Sequence, residues 1–167
     1  MTAHANDLEL IPTTNGSLET FQTDQKFDLV LLVQVIAHLE DPAKILMKIG
    51  SLLNPGGHLL IETWNSQSLT ARTLKTHWHE YNPPSVLHSF SKRSLKALVE
   101  QHGFTHLATR LTTKSINAAH GKSLLNHKYG ASRLYRTILK PALRALPDRL
   151  QIPYPADDLF WMCLEKS

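Results

Sequence analysis

The sequence predicts an α/β protein built on a largely parallel sheet, and three observations carry that prediction. FDLVLLVQ, residues 27 to 34, is nearly continuous in Leu and Val, as expected of a strand covered on both faces. A helix signal and a second apolar run, HLLIETWN at 58 to 65, follow it, and strand, helix and strand in that order make a right-handed crossover. The chain has 167 residues, 42% of them hydrophobic, with 7 Gly and 9 Pro, enough for a single domain with its own core.

Each element has its own local cause. After the first strand, Asp41 is placed to cap a helix whose first residue is Pro42, and apolar residues recur at 45, 46, 49, 52 and 53 with helical spacing. Asn54-Pro55-Gly56-Gly57 stops that helix and leads into the second strand. Ser91 caps a further helix, SKRSLKALVEQHG, with Leu95, Leu98 and Val99 on one side and Gly103 at its end. FTHLATRLTT, 104 to 113, reads as a strand, and DDLFWMCLEK, 157 to 166, as the closing one. From about 122 to 146, Leu134, Tyr135, Ile138, Leu139, Ala142, Leu143 and Leu146 share a helical face, giving a basic amphipathic segment bent or broken near Pro141.

Charge is concentrated in that segment. Residues 114 to 149 hold eight Lys and Arg against Asp148 alone, +7 of a total of +4, so the rest of the chain is mildly acidic at −3. No apolar run approaches the length of a membrane span and MTAHANDLEL lacks the pattern of a signal peptide, so a cytoplasmic location is expected. The single Cys163, in LFWMCLE, cannot form an intrachain disulfide and is expected to be buried and inert. His77-Trp78-His79 offers two imidazoles without a third ligand at recognisable spacing, so no metal is expected. GKSLL lacks the upstream glycine of a phosphate loop, and no G-x-S-x-G occurs.

Taken together, these motifs resemble the C-terminal half of a class I S-adenosylmethionine-dependent methyltransferase of the small-molecule type. FDLVLLVQVIAHLEDP looks like that family's fourth strand and following loop, and LLNPGGHLLIETWN like its L-x-P-G-G turn and fifth strand. HSFSKRSLKALVEQHGFTHL resembles the signature ahead of strand six, DDLFWMCLEK the antiparallel strand seven, and NGSLETF the adenine-contacting loop. The resemblance implies an incomplete Rossmann-like methyltransferase sheet of strands three to seven, the last antiparallel. A basic helical insert at 114–156 would precede that last strand, within a single domain spanning 1–167.

In such sheets ligands bind beyond the carboxyl ends of the strands. By resemblance, Val33 and Gln34 would lie along S-adenosylmethionine and Ser17 with Leu18 would sit at its adenine. Methyl transfer needs alignment of donor and acceptor, exclusion of water and, for some acceptors, a base. His38 is the candidate base, with a plain structural role at the helix start as the alternative. Trp64, Asn65, Tyr81 and His88 are candidates for the acceptor pocket, with ordinary aromatic packing as the alternative for the tryptophans. Tyr135 joins them if the insert is a lid, which its position between strands six and seven favours. A membrane-surface helix, which would suit a lipid-linked acceptor, a nucleic-acid contact and a solvated face are the other readings of residues 122–146, the nucleic-acid one without any stacking motif to support it.

Two departures from the family pattern shape the expectation. Ser17 and Ala37 stand where the family usually has acids, which weakens polar contacts to the donor. No G-x-G occurs, and the 26 residues before Phe27 are too few for two βαβ units. At most a third strand around Leu8 to Ile11 fits, so the strand at 27 to 34 would expose an apolar edge that invites a second copy or a complementing chain. The chain therefore reads as an N-terminally truncated methyltransferase. The alternative is a non-catalytic accessory or split-enzyme subunit that pairs with a chain carrying the glycine-rich half.

Overall fold

The structure, a computed structural model, describes residues 13–78, 80–112, 115–133, 135–153 and 157–167. Strand β1 (Phe27–Val33) runs into a single 3-10 turn, Ile36–His38, and then into helix α1 (Pro42–Leu52). Asp41 caps α1 by accepting the Lys44 backbone N–H at 3.0 Å, and Pro42 opens the helix, as its fixed φ and missing N–H favour. Helix and next strand abut: β2 (Leu53–Trp64) begins where α1 ends.

Asn54-Pro55-Gly56-Gly57 is thus part of β2 rather than only a helix stop. Its backbone must pass close to β1: a Cβ at Gly57 would lie 2.9 Å from the Asn54 carbonyl and 3.2 Å from that of Phe27. Only glycine permits that approach, and the β1–β2 register slips between Phe27 and Leu29 at the same place.

After β2 come a short helix α2 (Leu69–Leu74), a link through residues 75 to 90, and helix α3 (Lys92–Gln101). Ser91 and Ser94 form a reciprocal capping box on α3, and Gly103, at φ +83°, turns the chain into β3 (Phe104–Leu111). The insert is not purely helical. It comprises β4 (Ser115–Asn117), helix α4 (Ala118–Tyr129), a π-helical turn Tyr135–Leu139, helix α5 (Lys140–Arg144) and β5 (Gln151–Pro153). β4 and β5 pair antiparallel and close its base, a long-range contact that helical periodicity does not encode. The helix breaks after Tyr129, ahead of Pro141, which sits in the first turn of α5 where proline is tolerated.

The closing strand β6 (Leu159–Lys166) enters the sheet between β2 and β3, giving the order β1-β2-β6-β3. β1 and β2 are parallel, and β6 is antiparallel to both its neighbours. The segment expected to add one more strand, around Leu8 to Ile11, lies outside the described residues.

The two faces of this sheet differ. One carries Leu32, Leu59, Ile61, Phe160, Met162 and Leu164, which pack with Ile45, Leu46 and Ile49 of α1 and Leu95 and Val99 of α3 into one buried core. The opposite face is open along β1, where Leu29, Leu31 and Val33 are 53–54% exposed. Cys163 alternates onto this second face and is half-buried rather than buried. The near-continuous apolar run of β1 was therefore a correct strand signal, yet only one of its two faces is covered by the described residues.

Candidate active site at the carboxyl ends of the parallel strands

At the end of β1 the chain turns sharply through Gln34, whose φ of 56° places a non-glycine residue in the left-handed region. Two bonds hold it there: its backbone N–H donates to the Glu62 carbonyl at 2.8 Å, and its Nε2 donates to Glu62 Oε1 at 3.2 Å. The other carboxylate oxygen of Glu62 accepts from Thr112 Oγ1 at 3.1 Å. Sequence reading passed over Glu62, although strand alternation alone puts it on the same side of β2 as Trp64, a residue already singled out.

His38 stands in the turn after Gln34, with its Nδ1 2.6 Å from the Ser85 carbonyl. A carbonyl can only accept, so Nδ1 carries the hydrogen of this bond and the neutral ring keeps a free lone pair on Nε2. The same turn anchors the link between α2 and α3, since the backbone N–H groups of Leu87 and His88 both donate to the Ala37 carbonyl, at 2.9 and 3.0 Å. Ser66, just past β2, donates from its backbone and its hydroxyl to the Phe90 carbonyl, at 2.8 and 2.9 Å. The aromatic link is thereby tied across the ends of β1 and β2.

Trp64 and His88 line, with Trp78 and Phe90, a space of only about 10 Å³, too small for an acceptor, and the His88 and Phe90 rings lie 6.0 Å apart. Tyr81 lines a separate cavity of about 290 Å³ with Ser66, Lys75, Trp78 and Ser89. Asn65 is 9% exposed and its side chain accepts the Gln67 N–H at 3.2 Å, so it serves the turn after β2. Trp78 is buried and donates its indole N–H to Asp158 Oδ2 at 2.8 Å. Asp158 is fully buried, and its Oδ1 has no hydrogen-bond partner among the described residues.

Three expected residues sit elsewhere. Ser17 and Leu18 line a cavity of about 720 Å³ formed by residues between Thr14 and Gln25, which does not include Val33 or Gln34. Beside it the Glu19 carboxyl is held below the ordinary carboxylate pKa, chiefly by its own backbone N–H and then by the Ser17 hydroxyl. Tyr135 is buried in a cavity of about 340 Å³ within the insert, with Lys122, Asn126, Lys140, Leu143 and Arg144, and none of the other acceptor-pocket candidates lines it. His77 lies in the link, His79 lies outside the described residues, and among the described residues no three His, Cys, Asp or Glu side chains converge on one point.

A mixed sheet with a helix-backed core, a strained turn past the parallel strand β1, and polar groups gathered at the carboxyl ends of two adjacent strands mark the place where open α/β sheets bind their ligands. The methyltransferase domain family model matches residues 4–109, and the chain belongs to that family. Over 44 residues the chain is 39% identical to the ubiquinone biosynthesis O-methyltransferase of Aeromonas salmonicida, a match covering 26% of this chain and only 18% of that relative.

Solved structures share the fold at low identity. A candidate methyltransferase of Bacillus halodurans aligns with a TM-score of 0.62 and 16% identity, over 98% of this chain and 74% of its own. A SAM-dependent methyltransferase of Thermotoga maritima aligns with a TM-score of 0.59 and 17% identity, over 100% of this chain and 69% of its own. The fold is thus that of the S-adenosylmethionine-dependent methyltransferases, as the motif order implied. No helix among the described residues is long and apolar enough to cross a membrane.

Proposed function

We propose that this chain binds S-adenosylmethionine at the carboxyl ends of β1 and β2 and takes part in methylating a small molecule. The observation that supports this most is the Gln34 turn at the end of β1, held to Glu62 by a side-chain bond of 3.2 Å, with His38 four residues further along the chain. Val33 and Gln34 would line the donor, whose adenine would have to reach the separate cavity lined by Ser17 and Leu18. Bound there, the donor supplies an electrophilic methyl group. His38 would take the acceptor's proton through its free Nε2 while Nδ1 stays tied to Ser85. Likeness to a ubiquinone biosynthesis O-methyltransferase makes hydroxyl-bearing small molecules the first acceptors to try.

The test has two parts. Calorimetry with S-adenosylmethionine should show binding in the micromolar range, and no heat at millimolar donor would sink the proposal. Transfer of labelled methyl to a panel of phenols and catechols should fall by roughly 10²- to 10⁴-fold in His38→Gln, with donor affinity little changed, if the imidazole is a general base. An unchanged rate would leave His38 a structural tether of the 84–88 link.

A second reading has its own support. Leu29, Leu31 and Val33 are more than half exposed on a strand whose outer edge has no partner among the described residues. Such a surface suits a subunit that pairs with a chain carrying the glycine-rich half of the fold, and activity would then need both.

A further inference from the structure

We propose that Glu62 is a charge-recognition residue, by which the site favours a cationic sulfonium donor over the neutral thioether that methyl transfer leaves behind. The inference rests on the reading that a methyl donor binds here. It begins with placement. Strand register sets Val33, Glu62, Trp161 and Arg110 in one row across β1, β2, β6 and β3, with Leu31, Leu60 and Cys163 in a parallel row on the same face. Glu62 is therefore a carboxylate set among mainly apolar neighbours, at the end of the sheet where ligands bind.

Its two hydrogen bonds fix it without cancelling its charge. Gln34 Nε2 and Thr112 Oγ1 are both neutral donors, one to each oxygen, at 3.2 and 3.1 Å. Two oriented bonds immobilise a side chain that would otherwise rotate, and the charge itself remains. Arg110 is the cation of the same row, but the strand carrying Trp161 lies between them, and the described ion pairs do not include Glu62.

Gln34 adds a second observation. A left-handed non-glycine backbone is costly and persists where its surroundings hold it. Here the holding group is Glu62, through both its carbonyl and its carboxylate. With Nε2 turned to Glu62, the amide oxygen of Gln34 is left as a further acceptor, so both side chains offer negative potential.

The chemistry gives this potential a purpose. In methyl transfer the sulfur–carbon bond breaks and its electron pair stays on sulfur, while an acceptor lone pair forms the new bond to carbon. The acceptor's proton leaves to the base. Sulfur passes from a positive sulfonium to a neutral thioether, so a nearby fixed carboxylate attracts the donor more than the product and favours product release.

Titration calorimetry of the whole chain with S-adenosylmethionine and with S-adenosylhomocysteine reads the effect as a ratio of Kd values. Glu62→Gln keeps the size but removes the charge and turns one acceptor oxygen into a donor, to which the Thr112 hydroxyl can adapt by accepting, and it should move that ratio against the donor by roughly tenfold. Thr112→Val removes one bond and keeps the charge, so both affinities should fall by a similar factor. Raising the salt concentration should narrow the wild-type ratio, since screening weakens a charge–charge attraction and spares a neutral ligand. That measurement needs no variant and serves if Glu62→Gln does not fold. Equal losses of both ligands in Glu62→Gln, or a salt-insensitive wild-type ratio, would overturn the assignment while leaving donor binding intact. Wild-type protein that binds neither ligand would overturn the assignment together with the function beneath it.

Discussion

Asp157 shows how one side chain can join distant parts of the fold. Its carboxylate accepts the Leu69 N–H at 2.7 Å, and the Thr70 N–H and hydroxyl at 3.1 and 2.8 Å, while Ser68 serves the Ala71 N–H. The otherwise unpaired donors that open α2 are thus satisfied partly from a residue 88 positions away. Burial alone would raise the Asp157 pKa, but the bonds from Thr70 and Leu69 outweigh it and the pKa is lowered. A lowered folded-state pKa contributes stability above the unfolded value and loses it as pH falls through the folded one. Asp157→Asn should therefore be less stable than wild type at neutral pH. The gap should close at pH values below the folded pKa, in urea melts taken across that range. A gap that stays constant into strong acid would show that the charge contributes nothing. Sequence reading placed Asp157 only as the start of a strand, because nothing local links it to Leu69.

At the scale of elements, helix ends were the most legible features. Asp41-Pro42 and Ser91 cap the helices they were expected to cap, since a cap is a contact within three or four residues and local order fixes it. The α3 box is made by two serines, with Ser94 in place of the more usual Glu or Gln, so the pair is visible in sequence but easily missed. Ser91→Ala should cost about 1 kcal/mol and lower Tm by a few degrees in a thermal melt followed by circular dichroism. An unchanged Tm would mean that packing of Leu95 and Val99 alone holds the helix. The insert was the least legible element. Its periodicity suggested one bent helix, while the β4–β5 pairing depends on contacts across some 35 residues, and α4 ends at Gly130, where a side chain would run into the Asn126 carbonyl.

For the molecule as a whole, the decisive feature is the difference between the two faces of the sheet. α1 and α3 cover one, and the β1 end of the other is left with Leu29, Leu31 and Val33 in solvent. Burying the exposed half of each such side chain is worth roughly 1 kcal/mol, and an unpaired apolar strand edge adds backbone groups that seek partners. Wild-type protein should therefore self-associate or bind an added glycine-rich half, and Leu31→Lys should weaken either association. Sedimentation velocity over a concentration series checks this, and a wild type that stays monomeric and matches Leu31→Lys in dye binding would refute it.

What the sequence determined by itself was the order of the four sheet strands and of α1 and α3, the caps of those two helices, the family pattern and the turn that carries Gln34 and His38. These depend on neighbours a few residues apart, or on motifs read along the chain. Only the tertiary structure decided which face of β1 is open, that Glu62 and Thr112 meet Gln34, and that Tyr135 belongs to the insert's own cavity. Those facts depend on register between strands far apart in the chain, as where His58 lies beside Glu165, and a shift of one residue would turn Glu62 into the core.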